Sequence, residues 1–396
     1  MNLGYLVPEF PVQTHAFFWR EIAAIEEAGT SVRLYSTRRP LESACPHSFA
    51  SEARDRTTYL FPPRPGAAAE LLKKPQLMTR AIAYVRGLKE TDPKGKLRLL
   101  ALLPSAAMLA ADARRHGVTH LHIHSCADAA HLGAMAHMVG NLPYSLTLHG
   151  DLAVYGNDHP AKMAHARFVA AVTAPLAAQI RNVSPATDAP VIWMGVDCDR
   201  FAPRPRDLNQ DFTVATVARL NHVKGHRHVL SAIARLRDLG LVVRYKIAGD
   251  GPERDGIAAE IGRLGLHDQV ELLGALDENV IVSLLNHVDA LVLASFGKGE
   301  AAPVAVMEAM ACGVPVVCSA IGGTPDMIQS GIDGILTPQQ DVEAIADALR
   351  TLAGDGELRQ RIGKAARATA MSRFDHRSNA RKLVDRIRSS VTEGAR

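Results

Sequence analysis

Asp289-Ala-Leu-Val-Leu-Ala-Ser-Phe296, then Glu300-Ala-Ala-Pro-Val-Ala-Val-Met-Glu308, then Val314-Pro-Val-Val-Cys318 follow one another with only short joins between them. The first run is short, apolar and closed by Gly297, as expected of a strand buried in a parallel sheet. Pro303 suits the first turn of a helix and Gly313 its C-terminal cap, so a helix is predicted between two parallel strands. Glu300 then lies on the loop at the strand's carboxyl end, ahead of a helix whose first N–H groups attract phosphate. Glu308 falls about a turn and a half inside that helix, ~8 Å further along. Two carboxylates that bracket a phosphate position can grip the sugar and the ribose of a nucleotide-sugar. The helix around Glu308 is almost wholly apolar, so its charge is expected to face a ligand.

Outward from this unit the same alternation recurs. Residues 3–7, 15–28 and 31–36 read as strand, helix and strand, the latter helix closed by Gly29. No GxGxxG follows the first strand, which argues against a dinucleotide fingerprint. Further strands are predicted at 118–124, 144–149, 168–172 and 191–193, with a helix over 129–139. Around Gly195-Val-Asp-Cys-Asp-Arg-Phe-Ala-Pro-Arg-Pro205 turn and proline signals mark a link. A second series has strands at 212–218, 242–247, 270–273, 290–294 and 315–318, and helices at 226–239, 341–352, 357–371 and 376–391. The expected fold class is therefore α/β, with two doubly wound Rossmann-like domains and a ligand cleft at the carboxyl ends of both sheets. Residues 1–200 form the first domain and 201–375 the second, and 376–396 form a helix expected to pack back on the first.

Several groups fall at strand ends. Arg219 closes the first strand of the second series and Lys224 follows in Leu-Asn-His-Val-Lys-Gly-His; two cations there suit a diphosphate. Gly249-Asp250-Gly251-Pro252 permits a tight turn and close backbone approach, which suits a nucleotide pocket or a plain turn before a helix. In the first series His149 and Asp151 end the run Ser145-Leu-Thr-Leu-His-Gly-Asp151. His120, His122 and His124 alternate along one strand, but no carboxylate or cysteine stands at a convincing ligand spacing, so a metal site is not expected.

The run from Glu300 to Glu308, with Ala-Arg-Leu-Asn-His-Val-Lys-Gly-His and Gly-Asp-Gly-Pro, resembles the donor site of the retaining glycosyltransferases of family 4, which have the GT-B fold. The opening residues, with Thr14 and Phe17 where that family usually carries glycines, resemble members that build bacterial exopolysaccharides, including colanic-acid-type enzymes. The resemblance implies that Glu300 contacts the donor sugar, Glu308 the ribose, and Arg219, Lys224, Ala301, Ala302, Pro303 and Val304 the diphosphate region. It implies that His149 lies near the reacting centre and that Thr14, Phe17, His124 and Asp151 line the acceptor side. One departure stands out: the family usually has glycine after the first glutamate, and here that residue is Ala301.

The chain has 396 residues, a net charge of +4 and five cysteines with no CxxC pair, which read as free thiols of a reducing cytoplasm. No apolar stretch approaches the ~20 residues of a membrane span, and the start lacks the features of a secretory signal. Charge is uneven. Arg54–Arg115 holds thirteen basic residues against five acids, a net +8, in an amphipathic helical pattern read as a basic insertion at about 54–116. It suits an anionic membrane surface or a solvated face; nucleic acid is not expected, since no recognised motif accompanies the charge. The expectation is a metal-independent, retaining hexosyltransferase without cofactor, peripheral at the inner face of the cytoplasmic membrane. Its donor would be a UDP- or GDP-linked sugar and its acceptor a glycan or polyprenyl-diphosphate-linked glycan. The rivals are a nucleotide-sugar epimerase of the same fold and a non-catalytic nucleotide-sugar-binding or scaffold protein.

Overall fold

A computed structural model describes residues 1–67, 75–205, 211–298 and 300–393. Among these residues short apolar runs form twelve strands in two six-stranded sheets, with every described pairing parallel. The first sheet holds β1 (Asn2–Glu9), β2 (Ser31–Arg38), β3 (Thr58–Tyr59), β4 (His120–Ile123), β5 (Tyr144–Leu148) and β6 (Ala166–Ala171), in the order β3-β2-β1-β4-β5-β6. The second holds β7 (Thr213–Val217), β8 (Arg244–Ala248), β9 (Val270–Gly274), β10 (Ala290–Leu293), β11 (Val316–Ser319) and β12 (Ile335–Thr337), in the order β12-β11-β10-β7-β8-β9. Both orders reverse beside their first strand, so each sheet has a switch point, between β1 and β4 and between β7 and β10. A crevice opens there at the carboxyl ends of the strands, because the two connections leave in opposite directions.

Two compact units result. One comprises residues 1–45, 49–193 and the chain from Ala380; the other comprises 46–48 and 194–379. The division thus falls after Trp193 rather than at 200, and the helix His376–Glu393 passes from one unit to the other at Ala380. In the first unit Leu3, Tyr5, Val7, Ile22, Leu34 and Phe168 share a core with Leu383, Val384 and Ile387 of that helix. In the second, Val214, Tyr245, Ile247 and Val292 pack with Val229, Ile233, Ile257 and Leu349.

Some sequence expectations need correcting. Among the described residues 191–193 make one isolated bridge, Val191 to Ala171, beside the edge strand β6, and no full strand. Strands β3 and β12 went unpredicted; at two and three residues they are too short to leave a pattern. The stretch read as an insertion is not all insertion. Its last helix, Leu103–Arg115, buries most of its length and is the crossover into β4. The helix Pro75–Gly87 buries Ala81 and Val85 and packs on the helix Asp128–Gly140, so its apolar face is used internally. Arg80, Arg86, Lys89, Lys94 and Arg98 remain exposed, beside Leu97 at 70% exposure. Lys73 and Lys74 lie outside the described residues.

Candidate functional site

In the second unit the loops after β7 and β10 are laced together. Gly225, at φ +69°, comes so close to β10 that a Cβ would lie 1.9 Å from the Ala294 carbonyl oxygen, which only glycine allows. The Phe296 N–H donates to the Val223 carbonyl at 2.9 Å. This lacing brings Lys224 to Glu300: the ammonium Nζ donates to carboxylate Oε2, which also accepts from Ser295 Oγ at 2.8 Å. Glu300 is 9% exposed, so both contacts are drier than a surface pair and hold the carboxylate in one rotamer. Arg219 stands just beyond β7, exposed, and has no ion-pair partner among the described residues. An exposed guanidinium at a strand end, on the same loop as a part-buried ammonium–carboxylate pair, can take up an anion.

Pro303 is the N-cap residue of the helix Val304–Ala311, one position ahead of its first turn and not inside it. Ala301 and Ala302 are buried, and Glu308 lies within the helix at 7% exposure. Sequence reasoning passed over the partner of this segment, the Gly322-Gly323 pair after β11. A Cβ on Gly322 would lie 1.6 Å from the Glu300 carbonyl oxygen, and the Gly323 N–H donates to the Ala301 carbonyl at 2.8 Å. The backbone at Glu300–Ala301 is therefore clamped from the β11 side. Two adjacent glycines three residues after a strand were the available signal. Ser295, also passed over, had none beyond its place at a strand end.

The glycines of Gly249-Asp250-Gly251-Pro252 have a local use. A Cβ on Gly249 would meet the Ala218 carbonyl at 1.8 Å and one on Gly251 the Leu220 carbonyl at 2.4 Å. The Leu220 N–H donates to the Asp250 carbonyl, and the Glu253 N–H to that of Leu220, both at 3.0 Å. The close approach is thus between this turn and the loop bearing Arg219, whose path it sets.

In the first unit the crevice is walled by rings. His149 stacks on His124 (centroids 5.3 Å, 23° between planes), and Phe17 and Phe18 each lie 5.3 Å from His149. His149 Nε2 and His124 Nδ1 are 3.0 Å apart. His124 Nε2 faces Glu21 Oε1 at 3.2 Å, and Tyr5 Oη donates to the same oxygen at 2.7 Å. Burial lowers both imidazoles to pKa values of about 3, so both are neutral at pH 7. Burial raises the Glu21 carboxyl pKa, against the lowering effect of the Tyr5 bond. Asp151 accepts from Gln179 Nε2 at 2.8 Å, and Thr14 sits exposed in the turn Gln13–His15. His120 and His122 are occupied by Ser145 and Thr147 hydroxyls at 2.8 Å. Among the described residues no group of three His, Cys, Asp or Glu is placed to hold a metal ion.

The class these features define is visible in comparisons. Residues 200–369, all within the second unit, match the model of the family "Glycosyl transferases group 1". Over 98% of the chain the fold matches the GT-B structure of HepE from Anabaena in complex with UDP (TM-score 0.75, 19% identity, all of that chain covered). Sucrose-phosphate synthase from Thermosynechococcus elongatus matches equally well (TM-score 0.75, 18% identity, 98% and 99% covered). Among curated relatives, the putative colanic acid biosynthesis glycosyltransferase WcaL of Escherichia coli is 35% identical over 161 residues, 39% of this chain and 40% of its own. The amylovoran biosynthesis glycosyltransferase AmsK of Erwinia amylovora is 33% identical over 207 residues, 51% of each. The chain thus spans about half the length of these relatives, or less. The fold is GT-B.

Proposed function

We propose that the chain is a retaining hexosyltransferase of exopolysaccharide or cell-surface polysaccharide synthesis, moving a hexose from a nucleotide-diphosphate sugar to a glycan or lipid-linked acceptor. The observation that carries this is Glu300, a carboxylate at the β7/β10 switch point held by Lys224 and Ser295 and followed at once by a helix N-terminus. The names of WcaL and AmsK support the polysaccharide context, and HepE, solved with UDP and with UDP-glucose, supports a nucleotide-sugar donor.

In this reading the donor diphosphate meets Arg219, Lys224 and the helix start, and competes with Glu300 for the lysine. Glu300 orients the sugar and supports the positive charge growing at the anomeric carbon, and Glu308 meets the ribose. The anomeric C–O bond to the diphosphate breaks while the acceptor oxygen bonds the same face, and a departing phosphate oxygen takes the acceptor's proton. No carboxylate nucleophile of the glycosidase kind is needed. Arg219 and Lys224 offset the leaving charge, so the reaction is expected to run without a divalent cation.

The test is Glu300→Gln in purified protein given a panel of UDP-, GDP-, ADP- and dTDP-sugars with a lipid-linked or soluble glycan acceptor. Loss of a group acting mainly in the transition state lowers kcat by roughly a hundredfold or more. Near-normal transfer by the variant would sink the assignment. Interconversion of the sugar without acceptor would make the protein an epimerase, and donor binding with neither transfer nor hydrolysis a binding protein.

A further inference from the structure

Three arginines in the region of β2 and β3 have no carboxylate partner among the described residues. Arg38 closes β2, Arg39 follows it, and Arg54 comes from the helix Ala50–Arg56 ahead of β3. Arg33 and Arg56, on the same elements, do have ion partners, Asp112 and Glu26. Arg54 donates to the Glu42 main-chain carbonyl at 2.6 Å, and its Nε is buried with no hydrogen-bond partner. Even Glu9, the register partner of Arg38 on β1, forms no described ion pair with it.

The sheet gathers these charges around one ring. Tyr59 is the register partner of Ser36, and Arg38, two residues further along β2, points to the same side of the sheet. The Arg39 guanidinium lies 5.6 Å from the Tyr59 ring centroid. Burial raises the pKa of the Tyr59 hydroxyl, the charges of Arg39 and Arg54 draw it back, and Asp55 acts more weakly against them. Like charges held near one another repel, and a buried N–H without a partner costs free energy, so the cluster is suited to taking up an anion. The guanidinium fork matches two phosphate oxygens at once. Two loops bring hydrocarbon to the same place: Leu41 is 78% exposed and Phe61 43%. The Leu60 and Phe61 N–H groups donate to the Ser36 and Thr37 carbonyls, both at 2.9 Å, which sets these loops side by side. Exposed hydrocarbon beside unpaired arginines fits a phosphate carried on an apolar chain.

We propose that Arg38, Arg39 and Arg54 bind the diphosphate of a lipid-linked acceptor, with Leu41 and Phe61 against the first part of its apolar chain. This deepens the proposed function and rests on it, since it selects the lipid-linked acceptor over a free glycan. Tyr59 Oη donates to the Phe10 carbonyl at 3.2 Å, and the Phe10 N–H donates to Ser36 Oγ at 3.1 Å. The loop after β1, which leads into the turn bearing Thr14, is thereby tied to the arginine cluster. A diphosphate held there lies beside the first unit's crevice, whose ring walls suit the glycan it carries. A bilayer headgroup offers the same phosphate chemistry, but the tie to the crevice loop favours a substrate over a flat surface.

The experiment titrates farnesyl diphosphate into the whole chain by calorimetry, with saturating UDP present to occupy the second unit's diphosphate site. Arg38→Gln with Arg39→Gln is expected to weaken binding about tenfold or more, through loss of charge-assisted contacts. Leu41→Ser with Phe61→Ser should weaken it about threefold to tenfold, and should leave inorganic pyrophosphate binding as it was. With a farnesyl-diphosphate-linked glycan as acceptor, the arginine variant raises acceptor KM about tenfold while donor KM moves less than about threefold. Unchanged farnesyl diphosphate affinity in the arginine variant, or its loss in Lys224→Ala instead, overturns the proposal. So does equal affinity for pyrophosphate and farnesyl diphosphate, which would make the cluster a plain anion site. Sedimentation with anionic vesicles that the arginine variant loses, while farnesyl diphosphate binding stays intact, would assign the arginines to a bilayer surface and overturn it too. If the double variant does not fold, Arg38→Gln alone, at an exposed position, decides. Wild-type protein inactive on every nucleotide-sugar would instead refute the transferase reading, and the titration would still judge the arginines as a lipid-diphosphate site.

Discussion

The crevice outside β1 and β4 is walled by imidazole and phenyl rings, whereas that outside β7 and β10 is walled by an arginine, a lysine, a buried glutamate and glycines. The sheets have the same order, so topology alone does not choose the chemistry. In the first crevice the imidazoles of His124 and His149 are neutral, whereas in the second Lys224 and Glu300 form an ion pair. A neutral wall suits hydroxyl-rich ligands, which need oriented hydrogen bonds, and an ionic wall suits a diphosphate, which needs fixed countercharge. The contrast also divides the molecule's sensitivities, acid for one unit and salt or nucleotide for the other.

Acid should break the symmetry most strongly. In the first unit burial lowers His15 to a pKa of about 4 and His120, His124, His131 and His149 to about 3; in the second it lowers His226 to about 4. Each is neutral when folded and titrates near 6.5 when unfolded. The stability they lend is complete above about pH 6.5 and is lost as pH falls toward 3–4, because the unfolded chain takes up protons first. By pH 4.5 each costs on the order of 2–3 kcal/mol, and a handful rivals the ~5–15 kcal/mol stability of a domain. Both tryptophans, Trp19 and Trp193, lie in the first unit. Their fluorescence should therefore change at a higher pH than the second half of the far-ultraviolet circular dichroism signal. Coincident acid transitions would show that the units do not differ in this way.

A smaller effect sharpens the ionic half. Lys224→Ala is expected to weaken nucleoside diphosphate binding by about 2–4 kcal/mol, since it removes a charge-assisted contact and leaves Glu300 without its cation. Arg219→Ala, at an exposed position, should cost less. Calorimetric titration with UDP and GDP, with and without EDTA, ranks the two. Equal affinity for all three proteins, or binding and turnover that EDTA stops and magnesium restores, would remove the cations from the role given them.

The smallest effect per residue concerns the basic face of residues 75–100. Each Lys or Arg near an anionic bilayer contributes about 1 kcal/mol, screened beyond ~8 Å at physiological salt. Sedimentation with anionic vesicles should exceed that with neutral ones, fall at high salt and fall further when Lys89, Lys94 and Arg86 are neutralised together. Equal partition onto both vesicle types, or none, would make this face merely solvated. No helix among the described residues is long and apolar enough to cross a membrane.

Period and punctuation in the sequence determined the strand–helix alternation, the two series, and the places of Arg219, Lys224, Glu300 and His149 at strand ends. These are local properties: a short apolar run, a proline and a glycine constrain the backbone whatever lies around them. Contacts distant in sequence were left to the tertiary structure. Lys224 and Glu300 are 76 residues apart and meet because Gly225 lets the β7 loop close on β10. Glu21 reads as one more charge on an amphipathic helix until β4 brings His124 to it, from 103 residues further along the chain. The Gly249–Gly251 turn suited a nucleotide pocket or a plain turn, and nothing in the sequence showed that its glycines fit against the Ala218 and Leu220 carbonyls. Sequence decides which groups are present and on which element each rides. Only the packed sheets decide which of them share a proton or a charge, because hydrogen bonds and ion pairs act over a few ångströms between elements that the chain order keeps far apart.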